Sequence, residues 1–423
     1  MKRFILLVLL IGGFLTTLGQ NIDFDKYFSD RTLRIDYYRQ GNSNGNNVIL
    51  KRLVLKKGCW AGSKTQLIDP FINGNYRIVV KDKKSGIMLY SRCYKSLFQE
   101  YCETPEGKTS QAKYEEVMNI PLPKVAVEIL LQQYDNQQFV TQQSIDYAPG
   151  MGVEVATKEL PMRRLHYNGD PHQKVDIVIV PEGYGIADSA KMQNDMERFK
   201  DIVFMHDPFK SRSDDFNVWG VVVYGNESGI TDPNKNIFVN SAVGASYNIF
   251  GIDRYLMTFQ LFKLHDLLNG IPCDHIIIMA NSDTYGGGAI YNFYAFSSLN
   301  EHAHFVLPHE LGHSIGGLAD EYVDEAVSFN DMHKKVEEPT QPNITSLVDF
   351  DSKWAAMLPE GTPIPTPAIN VESGNGPLGV FEGAGYQSKG LYRPTMHCMM
   401  RDYRPFCPVC TKRLNEIFNL YTK

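Results

Sequence analysis

Hydrophobic and polar positions alternate in short runs through the first part of the chain, from Asn21 to about Leu165. Four of these runs are rich in β-branched and apolar residues, and Gly, Asn, Asp and Pro separate them: NNVILKRLVLKK, NYRIVVKDKKSGIMLYSRCY, KVAVEILLQQYD and QQFVTQQSI. Closely spaced runs with turn residues between them predict antiparallel strands packed as a β-sandwich. Nothing in the pattern of this region indicates a chemical function.

The pattern changes near residue 166, where apolar strands begin to alternate with helical stretches. Val175 to Val180 is a continuous apolar run, which predicts a buried strand. The segment DSAKMQNDMERFKDIVFMH has apolar residues at helical spacing, and Asp188 or Ser189 can cap it. The segments FNVWGVVVYG, DRYLMTFQLFKLHDLLNG, HIIIMAN and AIYNFYAFSS then predict a strand, a helix and two further strands.

This alternation predicts a layered α/β domain. The fold class is therefore α+β in two domains, with an all-β antiparallel sandwich over residues 21–165 and an α/β domain over residues 166–423.

The first 20 residues have the layout of a secretory signal peptide. Lys2 and Arg3 precede an apolar run from Phe4 to Leu15, and small and polar residues follow. A membrane anchor is the alternative, but the run is short for a span of about 20 residues. The sequence therefore predicts that residues 1–20 are cleaved, that no integral membrane segment remains, and that the protein is exported to the periplasm, cell surface or medium.

Composition narrows the class of protein further. The chain is 43% hydrophobic and 21% charged, as in ordinary globular proteins, and its net charge of −6 argues against a nucleic-acid binder. It has seven cysteines, an odd number, so at least one thiol has no partner within the chain even in an oxidising compartment. Most of the stability must therefore come from the hydrophobic core.

The segment VLPHELGHSIGGLADEY, Val306 to Tyr322, contains the candidate chemistry. His309 and His313 are four residues apart, so on a helix both imidazoles lie on one face and can bind one Zn²⁺. Glu310 is placed to take a proton from a zinc-bound water, whose pKa zinc lowers toward about 7. A pair of surface or capping histidines is the alternative. Pro308 is awkward inside a helix, so the helix either starts late or is kinked there.

A catalytic zinc needs a third protein ligand, and the candidates are Asp320 and Glu321. On an uninterrupted helix, Asp320 would lie roughly 16 Å from His309 along the axis. The chain must therefore turn sharply after His313. The pair Gly316–Gly317 stands where that turn is needed, because glycine readily adopts the left-handed conformation that ends helices.

This arrangement resembles the metzincin metallopeptidases, whose signature is H-E-x-x-H-x-x-G-x-x-H or Asp, followed by a methionine turn. Gly316 fits the signature, but the expected ligand position holds Ala319 and the acid follows at Asp320. The doubled glycine looks like a one-residue insertion. The third-ligand role is therefore carried over to Asp320, with Glu321 as the alternative.

A closer resemblance is to the IgA-protease-like metallopeptidases, also called igalysins. The segments HELGHSIGGLADEY, NSDTYGGGAIYNFYAF and GIDRYLMTF are similar to segments of that family. The β region also resembles the domain that often precedes such catalytic domains. The resemblance implies a metzincin-like zinc endopeptidase that acts on a protein or peptide, without establishing immunoglobulin A as the substrate.

The resemblance also implies a methionine turn below the zinc. The segment PTMHCMMRDYRPFCPVC offers Met396, Met399 and Met400, of which Met399 is favoured as an apolar floor for the site. An ordinary core methionine is the alternative.

Three cysteines, Cys398, Cys407 and Cys410, cluster around this turn. Together with His397 they match a structural zinc site of Cys₃His type. Export, the long first spacing and the fold instead favour a disulfide from Cys398 to Cys407 or Cys410, and the sequence does not choose between these two partners.

The glycine-rich segment TYGGGAIYNFY precedes the metal helix. Gly286, Gly287 and Gly288 allow the backbone to approach a partner closely. Metzincins place an edge strand above the metal, where a peptide substrate pairs with it antiparallel. The resemblance thus implies that these glycines and Tyr285 contact substrate, and a flexible hairpin turn is the alternative.

These features predict a secreted zinc metalloendopeptidase. His309, His313 and Asp320 would hold the metal, and Glu310 would act as the base. One alternative is an extracellular binding or adhesion protein with a latent metal site, against which the intact Glu310 argues. The other is a non-peptidase zinc hydrolase, against which the glycine-rich edge strand argues.

Overall fold

The computed structural model describes residues 22–135, 137–155, 160–324 and 337–422. The predicted signal peptide lies outside the described residues. The strands are β1 (Phe28–Asn42), β2 (Gly45–Leu55), β3 (Tyr76–Asp82), β4 (Met88–Tyr94), β5 (Ala112–Pro123), β6 (Val127–Asp135), β7 (Gln138–Tyr147), β8 (Met162–His166), β9 (Val175–Glu182), β10 (Phe216–Val221), β11 (His275–Ala280), β12 (Gly287–Ile290), β13 (Tyr294–Ser298), β14 (Phe381–Ala384) and β15 (Gln387–Arg393). The helices are α1 (Phe24–Tyr27), α2 (Leu97–Glu103), α3 (Ser189–Val203), α4 (Leu261–Leu267), α5 (Ala303–Ser314), α6 (Met399–Asp402) and α7 (Pro408–Thr422).

The first part of the chain forms two antiparallel sheets, as its alternating pattern predicts. Their strand orders are β2-β1-β5 and β4-β3-β6-β7. The sheets face one another: the hydroxyls of Tyr37 and Tyr94 are 2.8 Å apart, and the Arg39 guanidinium lies 3.8 Å from the centre of the Tyr76 ring. Apolar residues from both sheets meet in one buried cluster, so the predicted antiparallel β region is confirmed.

The opposite face of β1 carries buried charges and packs on the second part of the chain. Arg34 Nε donates to Asp36 at 2.7 Å, and Arg34 Nη2 donates to Asp266 of α4 at 2.6 Å. Arg52 Nε also donates to Asp36 at 2.6 Å. Removing one member would leave the remaining buried charges with fewer partners, which is destabilising. The network therefore fixes how this sheet meets α4.

A six-stranded mixed sheet with the order β12-β13-β11-β9-β10-β8 forms the centre of the second part. Strands β13, β11, β9 and β10 run parallel, whereas the edge strands β12 and β8 run antiparallel to their neighbours. Ile177 and Ile179 of β9 pack in a core with α3, α5 and α7, while Val178 and Val180 pack in the core shared with the N-terminal sheets. The predicted α/β layering is confirmed, and β8 begins before the boundary predicted at residue 166.

Two predicted elements differ in extent from the structure. The helix predicted from DRYLMTFQLFKLHDLLNG is confined to α4, because Tyr255 and Met257 before it form extended bridges with Gly287 and Ser246. The single strand predicted from AIYNFYAFSS is instead the hairpin of β12 and β13, which turns where Asn292 adopts a φ of 58°.

Among the described helices, none combines the length and the apolar composition that a bilayer-spanning segment requires.

Candidate active site

Helix α5 carries the His-Glu-x-x-His segment in its second half. The helix begins at Ala303 and runs through the buried Pro308 to Ser314, so a late start at the proline is ruled out. Proline has no N–H and cannot donate to the carbonyl of His304, four residues earlier. The turn that carries His309 and His313 is part of a longer helix whose other side packs in the core.

His309 and His313 lie one turn apart on α5, with their Nε2 atoms 3.1 Å apart. Nδ1 of His309 donates to the Met399 carbonyl at 2.9 Å, and Nδ1 of His313 donates to the Leu318 carbonyl at 2.7 Å. A carbonyl oxygen only accepts, so each Nδ1 carries the proton and each Nε2 is left to bind a cation. Both imidazoles are thus oriented toward a common point.

The chain reverses direction directly after α5, as predicted. Gly317 has a φ of 60°, in the left-handed region, and its N–H donates to the His313 carbonyl at 3.0 Å. A Cβ at this position would lie 1.9 Å from Nδ2 of Asn73, which belongs to the N-terminal part and donates to the carbonyls of Gly316 and Gly317. The turn therefore requires glycine on both conformational and steric grounds.

This reversal brings Asp320 back to the two histidines. Its Oδ1 lies 3.0 Å from Nε2 of His309 and 3.3 Å from Nε2 of His313. Ala319, in the position of the metzincin ligand, instead donates its N–H to Asn343 at 2.8 Å. Of the two acids that the sequence offers as third ligand, Asp320 is the one that lies beside the histidines, whereas Glu321 lies beside Cys410.

The three converging atoms fit a metal centre. Ligand bonds of about 2.0–2.2 Å in a tetrahedral site place neighbouring ligand atoms about 3.3–3.5 Å apart, and the separations here are 3.0 to 3.3 Å. Asp320 is only 7% exposed, and its Oδ1 has no partner among the described residues other than the two imidazoles. Two imidazoles and a buried carboxylate are a donor set suited to a divalent cation.

The electrostatics of the site also favour a positive charge at this point. Burial lowers the pKa of His309, but the hydrogen bond and charge of Asp320 outweigh it and raise the pKa to about 9. Burial raises the pKa of Asp320, but the charges and hydrogen bonds of His313 and His309 hold it well below its usual value. Without a metal, a proton would therefore occupy the position between these groups.

The hydroxyl of Tyr386 donates to the other carboxylate oxygen of Asp320. Tyr386 follows β14 in the left-handed conformation, with a φ of 68°, and lines the same cavity. Sequence reasoning missed this residue, because no local pattern connects it with a carboxylate 66 positions earlier. Hydrogen bonds to a ligating carboxylate orient it, and their loss typically weakens metal binding.

Glu310 borders a cavity of about 500 Å³ that the metal-site residues also line. No described residue donates a hydrogen bond to its carboxylate, which is half-buried between α5 and β12. Burial raises its pKa above the ordinary value. A Cβ on Gly287 would lie 2.7 Å from Oε1 of Glu310, so the absence of a side chain on β12 makes room for this carboxylate.

The predicted substrate strand, β12, is an edge of the six-stranded sheet, and Tyr285, Gly287 and Gly288 line the cavity. Gly286 does not line the cavity. It packs against the Tyr247 ring, which would lie 2.4 Å from a Cβ at this position.

One part of the substrate prediction is corrected at Gly287. Its N–H donates to the Arg254 carbonyl at 3.2 Å, and its carbonyl accepts from the Leu256 N–H at 3.1 Å. A neighbouring segment of the same chain therefore occupies the outer edge of β12 at this residue. Antiparallel pairing between Gly287 and a substrate is excluded, and the glycine is needed for the close approach of Glu310.

Met399 lies where a methionine turn is expected. It is 1% exposed and lines the cavity, and its carbonyl holds His309. The sulfur of its neighbour Met400 packs against α5, where a Cβ on Gly312 would lie 2.4 Å from it. The start of α6 therefore supports α5 through both main-chain and side-chain contacts.

The disulfide predicted beside this turn is wrong. The sulfurs of Cys398 and Cys410 are 3.7 Å apart, whereas a disulfide needs about 2.0 Å. All seven cysteines lie in the described residues, and each has a free thiol there. Cys398, Cys407 and Cys410 do cluster as expected, but His397 is not with them, because it pairs with Asp402. Glu321 lies beside the three cysteines instead, and the four potential ligand atoms lie within 4.8 Å of one another.

The N-terminal part contributes two residues to the cavity that sequence reasoning missed, Lys95 and Glu100. The hydroxyl of Tyr255 donates to Glu100. Burial raises the pKa of Glu100 to about 7 and lowers that of Lys95. Both parts of the chain therefore form the cleft.

Comparison with known families covers most of the chain. A family model described as IgA Peptidase M64 matches residues 164–375 and 368–418, and a model described as Peptidase M64 N-terminus matches residues 23–144. These ranges include every residue of the site described above. No curated protein matches the sequence.

Proposed function

Because the chain belongs to the IgA Peptidase M64 family of metallopeptidases, we propose that it is a zinc-dependent endopeptidase whose metal is held by His309, His313 and Asp320. The observation that carries this proposal is the convergence of two Nε2 atoms and one carboxylate oxygen within 3.3 Å of one another, beside an unpaired Glu310. Three protein ligands leave a fourth position open, which is the arrangement of catalytic rather than structural zinc sites.

Zinc held at this position would lower the pKa of a water molecule and polarise the scissile carbonyl. Glu310 takes the proton from the attacking water and passes it to the leaving amine. Its raised pKa suits this exchange, because a base works best when its pKa is close to the working pH. The carbonyls of Met399 and Leu318 keep both histidines in the tautomer that leaves Nε2 for the metal.

The substrate is a protein or peptide, and its contacts are proposed from the cleft. Tyr285, which is 37% exposed, and Gly288 lie on the β12 side of the cavity. Lys95 and Glu100 reach it from the N-terminal part. Since another segment of the chain occupies the edge of β12 at Gly287, the substrate backbone contacts other residues that line the cavity.

Export of the enzyme is part of the proposal, and the signal-peptide layout of residues 1–20 supports it. Expression of the full sequence followed by mass measurement of the recovered protein tests this part. A chain shortened by about 20 residues at its N-terminus is expected, and an intact N-terminus in the recovered protein would contradict it.

The catalytic proposal is tested with Glu310→Gln, which keeps the shape of the side chain and removes the base. Metal per chain is measured by elemental analysis, and cleavage is measured on a mixed peptide library. We expect equal zinc in parent and variant, with cleavage reduced about 10²–10⁴-fold in the variant, as is typical for loss of a general base.

The matched control is Glu301→Gln, because the side chain of Glu301 lies just before α5 and is 84% exposed. It is expected to cleave like the parent. A parent protein without zinc, or a Glu310→Gln variant as active as the parent, would overturn the proposal.

A further inference from the structure

A second group of potential ligands lies beneath the candidate active site. Cys398 precedes α6, Cys407 precedes α7, and Cys410 lies in the first turn of α7. Glu321 reaches them from the segment that follows the Asp320 ligand. All four residues are completely buried, at 0% exposure.

The spacing of these atoms matches tetrahedral zinc. Zinc–sulfur bonds of about 2.3 Å place neighbouring sulfurs about 3.8 Å apart, and a zinc–oxygen bond of about 2.1 Å places oxygen about 3.6 Å from sulfur. Sγ of Cys398 lies 3.7 Å from Sγ of Cys410, which lies 3.3 Å from Oε1 of Glu321. The two sulfurs of a disulfide would lie much closer together. A disulfide would also not account for the third buried thiol and the buried carboxylate.

Glu321 is the independent sign of a cation site. Its Oε2 is buried and has no hydrogen-bond partner among the described residues. Asn343 donates to its Oε1 at 2.9 Å and so orients the carboxylate. A buried carboxylate with one unpaired oxygen is costly, and a cation bound by this carboxylate offsets that cost.

The main chain also favours thiolates here. The N–H of Cys407 donates to Sγ of Cys398 at 3.3 Å. The C-x-x-C spacing of Cys407 and Cys410 places both sulfurs on one side of the start of α7, as in many structural zinc sites.

From these observations we propose that Cys398, Cys407, Cys410 and Glu321 bind a second zinc ion, separate from the catalytic one and structural in role. Four protein ligands leave no open position, which distinguishes a structural from a catalytic zinc. On binding, the thiols release their protons and become thiolates. This proposal does not depend on the catalytic one.

The second site is connected to the first through two pairs of neighbouring residues. Glu321 follows the catalytic ligand Asp320, and Cys398 precedes Met399, whose carbonyl orients His309. The N–H of Glu321 also donates to the Met400 carbonyl at 2.8 Å. A zinc ion at the second site therefore ties together the two segments that position the catalytic ligands.

The test counts zinc in the whole protein and in two kinds of variant. We expect two zinc ions per chain in the parent, one in Cys407→Ser, and one in the double variant His309→Ala, His313→Ala. Cys59→Ser is the matched control, because Cys59 is half-buried and lies outside the cluster, and it is expected to keep both ions.

Cobalt substitution of the double-histidine variant provides a readout that leaves the cysteine cluster intact, so it holds even where Cys407→Ser does not fold. Cobalt bound by three thiolates is expected to give a strong near-ultraviolet charge-transfer band. Absence of metal from this variant, cobalt without that band, or a disulfide found by mass spectrometry would each overturn the proposal. A parent with one zinc, lost on histidine replacement, would overturn it and leave the catalytic proposal standing.

Discussion

Asp320 and Glu321 are adjacent in the chain, yet their carboxylates belong to two different clusters. Asp320 Oδ1 lies 3.0 Å from Nε2 of His309, whereas Glu321 Oε1 lies 3.3 Å from Sγ of Cys410. The sequence offered both acids as third ligands for one metal. The same short segment, held by Asn343, therefore contributes one carboxylate to the candidate active site and the other to the thiol cluster.

The first prediction follows from this separation. Asp320→Asn should remove catalysis and weaken the catalytic metal at least about 100-fold, because loss of outer partners alone costs about 10–100-fold. Glu321→Gln should leave the catalytic zinc bound but lower thermal stability, since loss of a structural metal is among the large destabilising changes, above about 4 kcal/mol. Metal affinity by chelator competition and calorimetric melting measure the two effects.

These two variants are each other's control, because both replace an acid by its amide in the same segment. If both lost the same metal, or if both only lowered the melting temperature, the assignment of the two carboxylates to separate sites would be wrong.

The second prediction concerns Gly287. Its replacement by alanine puts a Cβ about 2.7 Å from Oε1 of Glu310 and also 2.7 Å from Val306. The carboxylate must then move, and a displacement of about 1 Å costs roughly 10²-fold in rate. We expect kcat to fall by this order while the zinc content stays at the parent level. A Gly287→Ala variant with parental kcat would show that Glu310 is not confined by β12.

The local part of the site was readable from sequence because helix geometry connects residues four apart. His309 and His313 are on one face of α5 for that reason, and the glycine pair predicted the reversal that returns Asp320. The partners that hold these residues come from distant positions. Tyr386 and Met399 reach the site only through the folded chain, and no spacing rule connects them with the helix.

The disulfide prediction failed for a related reason. An oxidising compartment favours disulfides in general, but whether two thiols bond depends on their backbone positions. The sulfur positions of Cys398 and Cys410 depend on how α6 and α7 pack, and the role of Glu321 depends on a turn elsewhere in the chain. His397 is next to Cys398 in sequence but points to Asp402.

The β region was predicted as strands without any chemistry, and its contribution to the cleft was missed. Lys95 and Glu100 follow β4 and have no recognisable motif. They reach the cleft because the N-terminal sheets pack beside the six-stranded sheet. A local sequence pattern carries no information about that packing.

The third prediction tests that contribution. Lys95→Met keeps a long unbranched side chain and removes a half-buried charge from the cleft. If the N-terminal part binds substrate, KM for good peptide substrates should rise several-fold, with a smaller change in kcat and unchanged zinc. Steady-state kinetics on peptides selected from the library measure this effect.

The control is Lys84→Met, in an exposed turn of the same N-terminal part, which should leave both constants unchanged. Equal kinetics for parent and Lys95→Met would show that the N-terminal part lines the cleft without contributing to substrate binding.

The fourth prediction is a pH dependence of stability that originates at His275, at the start of β11. Burial, together with the charge of Arg92, lowers its pKa to about 3. In the unfolded chain a histidine has a pKa of about 6.5, so below that pH the unfolded state binds a proton that the folded state does not. The free energy of unfolding therefore falls as the pH drops from about 6.5 toward 3.

The size of the effect follows from the same linkage. At about pH 5 the loss is about 2 kcal/mol relative to neutral pH, at 1.36 kcal/mol per pKa unit. His275→Phe keeps a ring against Tyr421. Its free energy of unfolding, measured in urea, should fall by about 2 kcal/mol less than that of the parent between neutral pH and pH 5. Other effects of acid act on both proteins, so their difference isolates His275.

His302→Gln replaces an exposed histidine and should behave like the parent. Parallel pH curves for the parent and His275→Phe would mean that His275 is protonated in the folded protein.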